Sequence, residues 1–299
     1  MPDPRDYTLT SPRVRPILEP MGFRKGKGNA RLPKRVDLRD ENLPPPPQDQ
    51  GPLGSSCAFA VLDLVEYLER KHLGRSLEAS KLFLHQLTVR LASSRLAPSA
   101  TRSVGTTLRT TFKALARFGA PPARFWPYDP GHFDREPTHP LLFSFTREYA
   151  SLQYFRLDTS TCPTGQVRAS PQKTLRNVKR LLALGIPCVC GVAVPRSLTT
   201  APHIPLPNGR DELLGGQAVL ILGHQDADPD TTRTKSRQKS PPPPPNYKGQ
   251  PTGGALLIRP SWGTRWGKKG YGWLPEAYVA QGFASDFWTA MKPEWSRKE

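Results

Sequence analysis

Three short stretches of this chain carry side chains of the kind that break bonds. Gln50-Gly51-Pro52-Leu53-Gly54-Ser55-Ser56-Cys57-Ala58-Phe59-Ala60 places two hydroxyls and a thiol between a glycine-rich loop and an apolar run. Ser56 and Cys57 are candidate nucleophiles, and either one needs a neighbouring base to take its proton. The other two stretches are Gly215-Gly216-Gln217-Ala218-Val219 and Arg259-Pro260-Ser261-Trp262-Gly263-Thr264. They supply no such base: a glutamine amide has no useful basicity, and proline offers neither a polar side chain nor a backbone N–H. Cys188 and Cys190 point to one face of a strand but lack a second Cys or His pair, so a core position suits them better than a zinc site.

The elements that must hold these residues follow from hydrophobic period. Ser55 or Ser56 suits the N-cap of a helix whose apolar residues Phe59, Leu62, Val65, Tyr67 and Leu68 recur at a helical spacing. Helical patterns continue over 79–91 and 106–118, and over 174–184 with a stop at Gly185. Residues 36–39, 188–194, 217–223, 255–259 and 271–274 read as strands bounded by Gly and Pro. Helices thus dominate the first half and strands the second. A polar excursion at 226–254, with prolines 241–245, separates two strands expected to pair, and reads as disordered.

The three stretches together resemble the papain-like cysteine peptidase family, in order and spacing, over residues 33 to 286. The first is similar to its Gln-Gly-x-x-Gly-Ser-Cys-(Trp/Thr)-Ala-Phe loop, the second to its Gly-Gly-His-Ala-Val strand, and the third to its Asn-Ser-Trp-Gly strand end. Aligned without a gap, the nucleophile falls on Ser56, the general base on Gln217 and the orienting Asn on Pro260, so each triad position is substituted. Cys57 stands one residue late, and one residue turns a helix by about 100°. The resemblance implies an oxyanion-binding role for Gln50, a substrate-facing backbone at Gly105 and Gly216, and a covering role for Trp262. Gly105 equally suits a plain helix-start turn. It also implies an α+β, two-lobed fold, with a helical lobe at about 50–145, an antiparallel β-barrel-like lobe at about 150–288 and a cleft between them. Residues 1–32 read as a flexible, basic, Pro-rich arm unlike the family's long helical prodomain, residues 33–288 as the domain, and 289–299 as a tail. None of the six histidines carries a family motif. His224 lies roughly 23 Å along the strand from Gln217 at 3.3 Å per residue, and His203 sits in the loop before that strand.

Composition narrows the remaining classes. The 299 residues carry 43 Lys and Arg against 25 Asp and Glu, a formal charge of +18. Nine basic side chains fall in residues 1–36 and five in residues 233–248, so the excess is weighted toward segments that read as disordered. No zinc finger, Arg-rich helix or aromatic RNA-binding signature accompanies it, and nucleic acid is a weakly supported partner. The longest apolar run, 181–195, is too short to span a bilayer. Four cysteines without disulfide spacing, no signal-like apolar segment, and Leu53 where secreted relatives carry a disulfide cysteine point to a reducing cytosol. The sequence alone therefore predicts an inactive peptidase homologue binding or scaffolding a polypeptide, with no cofactor and no metal. The alternatives are a cysteine peptidase or acyl-transfer enzyme using Cys57, and a basic module binding nucleic acid or an acidic assembly.

Overall fold

The helix that begins at Ser56 is buried along most of its length, and the molecule is arranged to cover it. The computed structural model describes residues 3–23, 32–39, 41, 43–93, 105–162, 165–196, 198, 204–207, 211–226 and 253–296. Helix α2 (Ser56–Leu73) is buried without interruption from Ser56 to Glu69 and ends on Gly74, whose φ of 67° closes the last turn. Charges inside such a helix require partners. Glu66 meets Lys81 of α3 (Lys81–Ser93) at 2.8 Å, and Asp63 meets Arg259 at 2.6 Å. Helix α4 (Leu108–Phe118) completes this lobe, capped by Thr107, whose side chain accepts from Thr110 N. It stops at Gly119, where a Cβ would lie 2.7 Å from Thr146 Cα at the head of the short helix α5 (Thr146–Tyr149).

The second lobe is one antiparallel sheet. Its path runs β2 (Gln153–Arg156), β9 (Ala284–Met291), β5 (Cys188–Pro195), β6 (Leu213–Gln225), β7 (Ala255–Arg259) and β8 (Gly272–Pro275), with β1 (Arg35–Asp37) on the outer half of β6. The ladder does not close into a barrel among the described residues. A separate hairpin pairs β3 (Thr159–Cys162) with β4 (Gly165–Arg168). Helix α6 (Pro171–Ala183) begins three residues earlier than its apolar period suggested, because Ser170 caps it and Pro171 suits its first turn. Cys188 and Cys190 are fully buried core thiols, as their strand position suggested. No helix among the described residues is long and apolar enough to cross a membrane.

Two expected boundaries are corrected. Residues 3–23 are not a flexible arm: Val14, Ile17 and Leu18, in and beside helix α1 (Arg15–Leu18), are buried, and Arg156 N donates to Tyr7 O at 2.8 Å. Asp6 pairs with Arg109, 103 residues away, and with Arg156 at 3.6 Å. Composition cannot show such distant pairing; residues 24–31 lie outside the described residues. Nor does the domain end at 288. β9 continues to Met291, opposite Gln153, and the buried Trp295 stacks on His72 at 5.8 Å. The excursion at 226–254 lies mostly outside the described residues, and the strands flanking it, β6 and β7, do pair, with Gln225 opposite Ala255.

Candidate active-site cleft

The loop before α2 is fastened to the end of β7. Asp49 bridges Trp262, Gln50 N donates to Ser261 O at 3.0 Å, and Gly263 N donates to Gln48 O at 3.1 Å. This brings Gln50 and the first turn of α2 against β6, where Gln217 lies opposite Val192 of β5. Between them lies a cleft of about 510 Å³ lined by Gln50, Ser56, Cys57, Gly105, Gly216 and Gln217 among others. Five residues marked in the sequence analysis for catalysis or binding, together with the alternative nucleophile Cys57, therefore share one cavity. Pro260 is buried and is not among the residues that line it. Trp262, expected to cover the site, is not among the cleft-lining residues, and its indole packs edge-on against Trp266 at 5.1 Å.

The polar groups at the cleft floor form a neutral network. Gln50 Nε2 donates to Leu53 O at 2.6 Å. Gln217 Nε2 donates to Gln50 Oε1 at 2.9 Å and to Ser261 Oγ at 3.1 Å, while Ser261 Oγ donates to Gln50 Oε1 at 2.5 Å. Ser56 Oγ accepts from Ala218 N at 3.2 Å. Gln50, Ser56, Gln217 and Ser261 are each at most 8 % exposed, so these bonds form where water does not compete.

Cys57 is placed differently. Its Sγ–H donates to Thr106 O at 3.1 Å, and burial pushes the thiol up to about 12. A thiol so held is protonated at neutral pH and is a poor nucleophile. Among the described residues no histidine lines the cleft. His224 is fully buried in β6 opposite Val36, and burial, with Lys179 nearby, lowers it to about 4. His85 is lowered to about 4 by burial alone. His203 lies outside the described residues.

Three participants went unassigned in the sequence. Ser261 lies inside a recognised motif, and its role was legible only as a strand end. Tyr128 has no local signal at all: its hydroxyl donates to Gln50 O at 2.7 Å and lies 2.7 Å from Ser55 Oγ. With its proton spent on a carbonyl, Tyr128 must accept from Ser55. Ser55 is indeed the N-cap residue of α2, but its side chain makes no capping bond. Asp286 lines the cleft from the head of β9 with φ at 59°, paired with Arg156 at 3.1 Å and accepting from Trp288 Nε1 at 2.8 Å. Burial raises its carboxyl against both partners.

A helical lobe and an antiparallel sheet facing each other across this cleft define a papain-like fold, and known proteins of that fold superpose on it. Xylellain, a cysteine protease from Xylella fastidiosa, matches with a TM-score of 0.65 and 26 % identity, over 98 % of this chain and 93 % of its own. A digestive procathepsin L2 from Tenebrio molitor matches at 0.58 with 19 % identity, over 89 % and 70 %. Bromelain from Ananas comosus, in complex with the inhibitor E64, matches at 0.51 with 16 % identity, over 87 % and 100 %. In sequence, a peptidase C1-like protein of Acanthamoeba polyphaga mimivirus is 27 % identical over 248 residues, 80 % of this chain and 68 % of its own length. No protein-family model matches the chain. The likenesses to xylellain and to the mimivirus protein support placing the chain in the papain-like cysteine peptidase family.

Proposed function

We propose that this protein is a catalytically inactive papain-like peptidase homologue that holds a polypeptide in its cleft without cutting it. The observation that carries this reading is the network joining Gln50, Gln217 and Ser261, which occupies the cleft floor without a single group able to take a proton at neutral pH. By the motif alignment Ser56, Gln217 and Pro260 stand at the nucleophile, base and orienting positions. Loss of such a unit typically costs about 10⁶-fold in turnover. The cleft itself persists, lined by the backbone of Gly105, Gly191 and Gly216, which suits an extended chain.

The alternative, an enzyme using Cys57, needs a thiolate within hydrogen-bond reach of a base. The partner of Sγ is instead the Thr106 carbonyl, and the thiol is pushed up to about 12 by burial. Intact-mass analysis after incubation with a peptidyl electrophile, with Cys57→Ala alongside, separates the two readings. No adduct on folded protein is expected. An adduct that Cys57→Ala abolishes would replace the inert reading with a cysteine-dependent enzyme.

A further inference from the structure

We infer that the floor of the cleft is a reader of uncharged amide groups, in which Gln217 Oε1 accepts an N–H from the bound chain and Ser56 donates to its carbonyl. This rests on the binding reading above and names the chemistry the cleft selects.

A glutamine side chain presents a donor and an acceptor, and its orientation is fixed only when a neighbour of known polarity fixes it. Here the chain of polarity starts at a backbone carbonyl. Leu53 O can only accept, so the atom of Gln50 facing it at 2.6 Å is Nε2. The other end of the Gln50 amide is therefore Oε1, which can only accept in turn. Gln217 approaches that oxygen at 2.9 Å, so the approaching atom is Nε2. Its second proton goes to Ser261 Oγ at 3.1 Å, and the Ser261 proton goes back to Gln50 Oε1. Both Gln217 protons are then used. Its Oε1 makes no hydrogen bond to any described residue, on a side chain that is 7 % exposed and lines the cleft.

Ser56 follows the same logic. Its oxygen accepts from Ala218 N at 3.2 Å, and its proton has no acceptor among the described residues. The site thus offers one fixed acceptor and one donor on neighbouring cleft residues. A peptide unit or carboxamide satisfies both. A carboxylate brings acceptors alone and sets a negative oxygen against Gln217 Oε1, displacing water from that acceptor without giving it a donor. The cleft is accordingly selective for intact or amidated chain over a chain end bearing a free acid.

The test uses the whole protein and a matched probe pair, N-methylacetamide, which is a single peptide unit, and acetate, which is a single free carboxylate, followed by saturation-transfer NMR at pH 7. Gln217→Met keeps the volume and removes the acceptor. Ser261→Ala is the second variant, should the first not fold, since it removes one of the two bonds that hold the Gln217 amide in place. The expected result is amide binding tighter by about five- to tenfold, the worth of one or two net hydrogen bonds, with the preference lost in Gln217→Met and reduced in Ser261→Ala. Equal affinities, a preference for the acid, or no binding of either probe, without cleavage, overturn the amide reading and leave the inert cleft standing. Cleavage of the probe amide bond, read by mass, overturns both.

Discussion

Asp63, Glu66, Lys81 and Arg259 form an ionic cluster between α2, α3 and β7, while Gln50, Ser56, Gln217 and Ser261 form a neutral one between the head of the same α2 and the cleft ends of β6 and β7. Arg259 and Ser261 are two residues apart, so the two clusters are neighbours across the same lobe interface. The ionic cluster is held by charge: Arg259 also donates to Pro45 O, and Lys81 lies 3.7 Å from Asp63 as well as 2.8 Å from Glu66, although Asp63 Oδ1 and Glu66 Oε2 accept no hydrogen bond among the described residues. Burial, which alone would lower Lys81, is outweighed by Glu66 and Asp63, and the amine is raised. The neutral cluster is left open at Gln217 Oε1 and the Ser56 proton. Charge is used here to lock the lobes together, and neutral dipoles form the floor of the cleft.

The comparison breaks most visibly at Arg259. Arg259→Met leaves the buried Asp63 carboxylate with Lys81 alone, and a loss of roughly 3–5 kcal/mol in urea denaturation is expected. The double change Asp63→Leu with Arg259→Met should recover much of it, and a single variant costing under about 1 kcal/mol would refute the ionic lock. Next comes pH. His224 is neutral in the fold, lowered to about 4 from an ordinary 6.5, so the unfolded chain binds its proton first as the pH falls. Stability is therefore present above 6.5 and is lost between 6.5 and about 4, with a slope of up to about 1.4 kcal/mol per pH unit from one histidine. His224→Gln should remove its share of that slope and leave the share of His85, which burial also lowers to about 4, while amide binding in the cleft stays level between pH 6 and 9. Ser261→Ala should cost less, roughly 1–2 kcal/mol for two hydrogen bonds. The smallest effect separates a cap from a bond. Ser55→Ala should cost about 1 kcal/mol in the native background and nothing further in Tyr128→Phe, because the hydroxyl serves Tyr128 and not the helix.

Fold and cleft were legible wherever the signal was local. The period of α2, the glycine stops and the strands at 188–194 and 255–259 could be read directly, whereas the convergence of Gln50, Ser56 and Gln217 was legible only through the resemblance of three motifs to a known family. The rest depends on partners distant in sequence. β9 and β2 were missed because Phe287, Trp288 and Thr289 become a strand only beside Phe155 and Val189. The segment at 3–23 looked like a solvated basic arm because its acids find Arg109 and Arg156 only after folding. Ser55 looked like a cap because no local rule reveals a tyrosine 73 residues later. Ser261 was read as part of a motif, and only its distance to Gln217 shows what it holds.

The antiparallel pairing of β6 and β7 has an architectural consequence. The chain leaves this pair at Gln225 and re-enters at Ala255, the ends remote from Gln217 and Ser261. Eight residues of strand, about 26 Å at 3.3 Å each, separate Gln225 from the cleft floor. Lengthening a connection costs only about 0.6 kcal/mol per doubling, and here that cost falls where no cleft residue can feel it. The junction is thus a natural grafting point: a reporter or affinity module spliced between 226 and 254 would report on the molecule without disturbing what it holds.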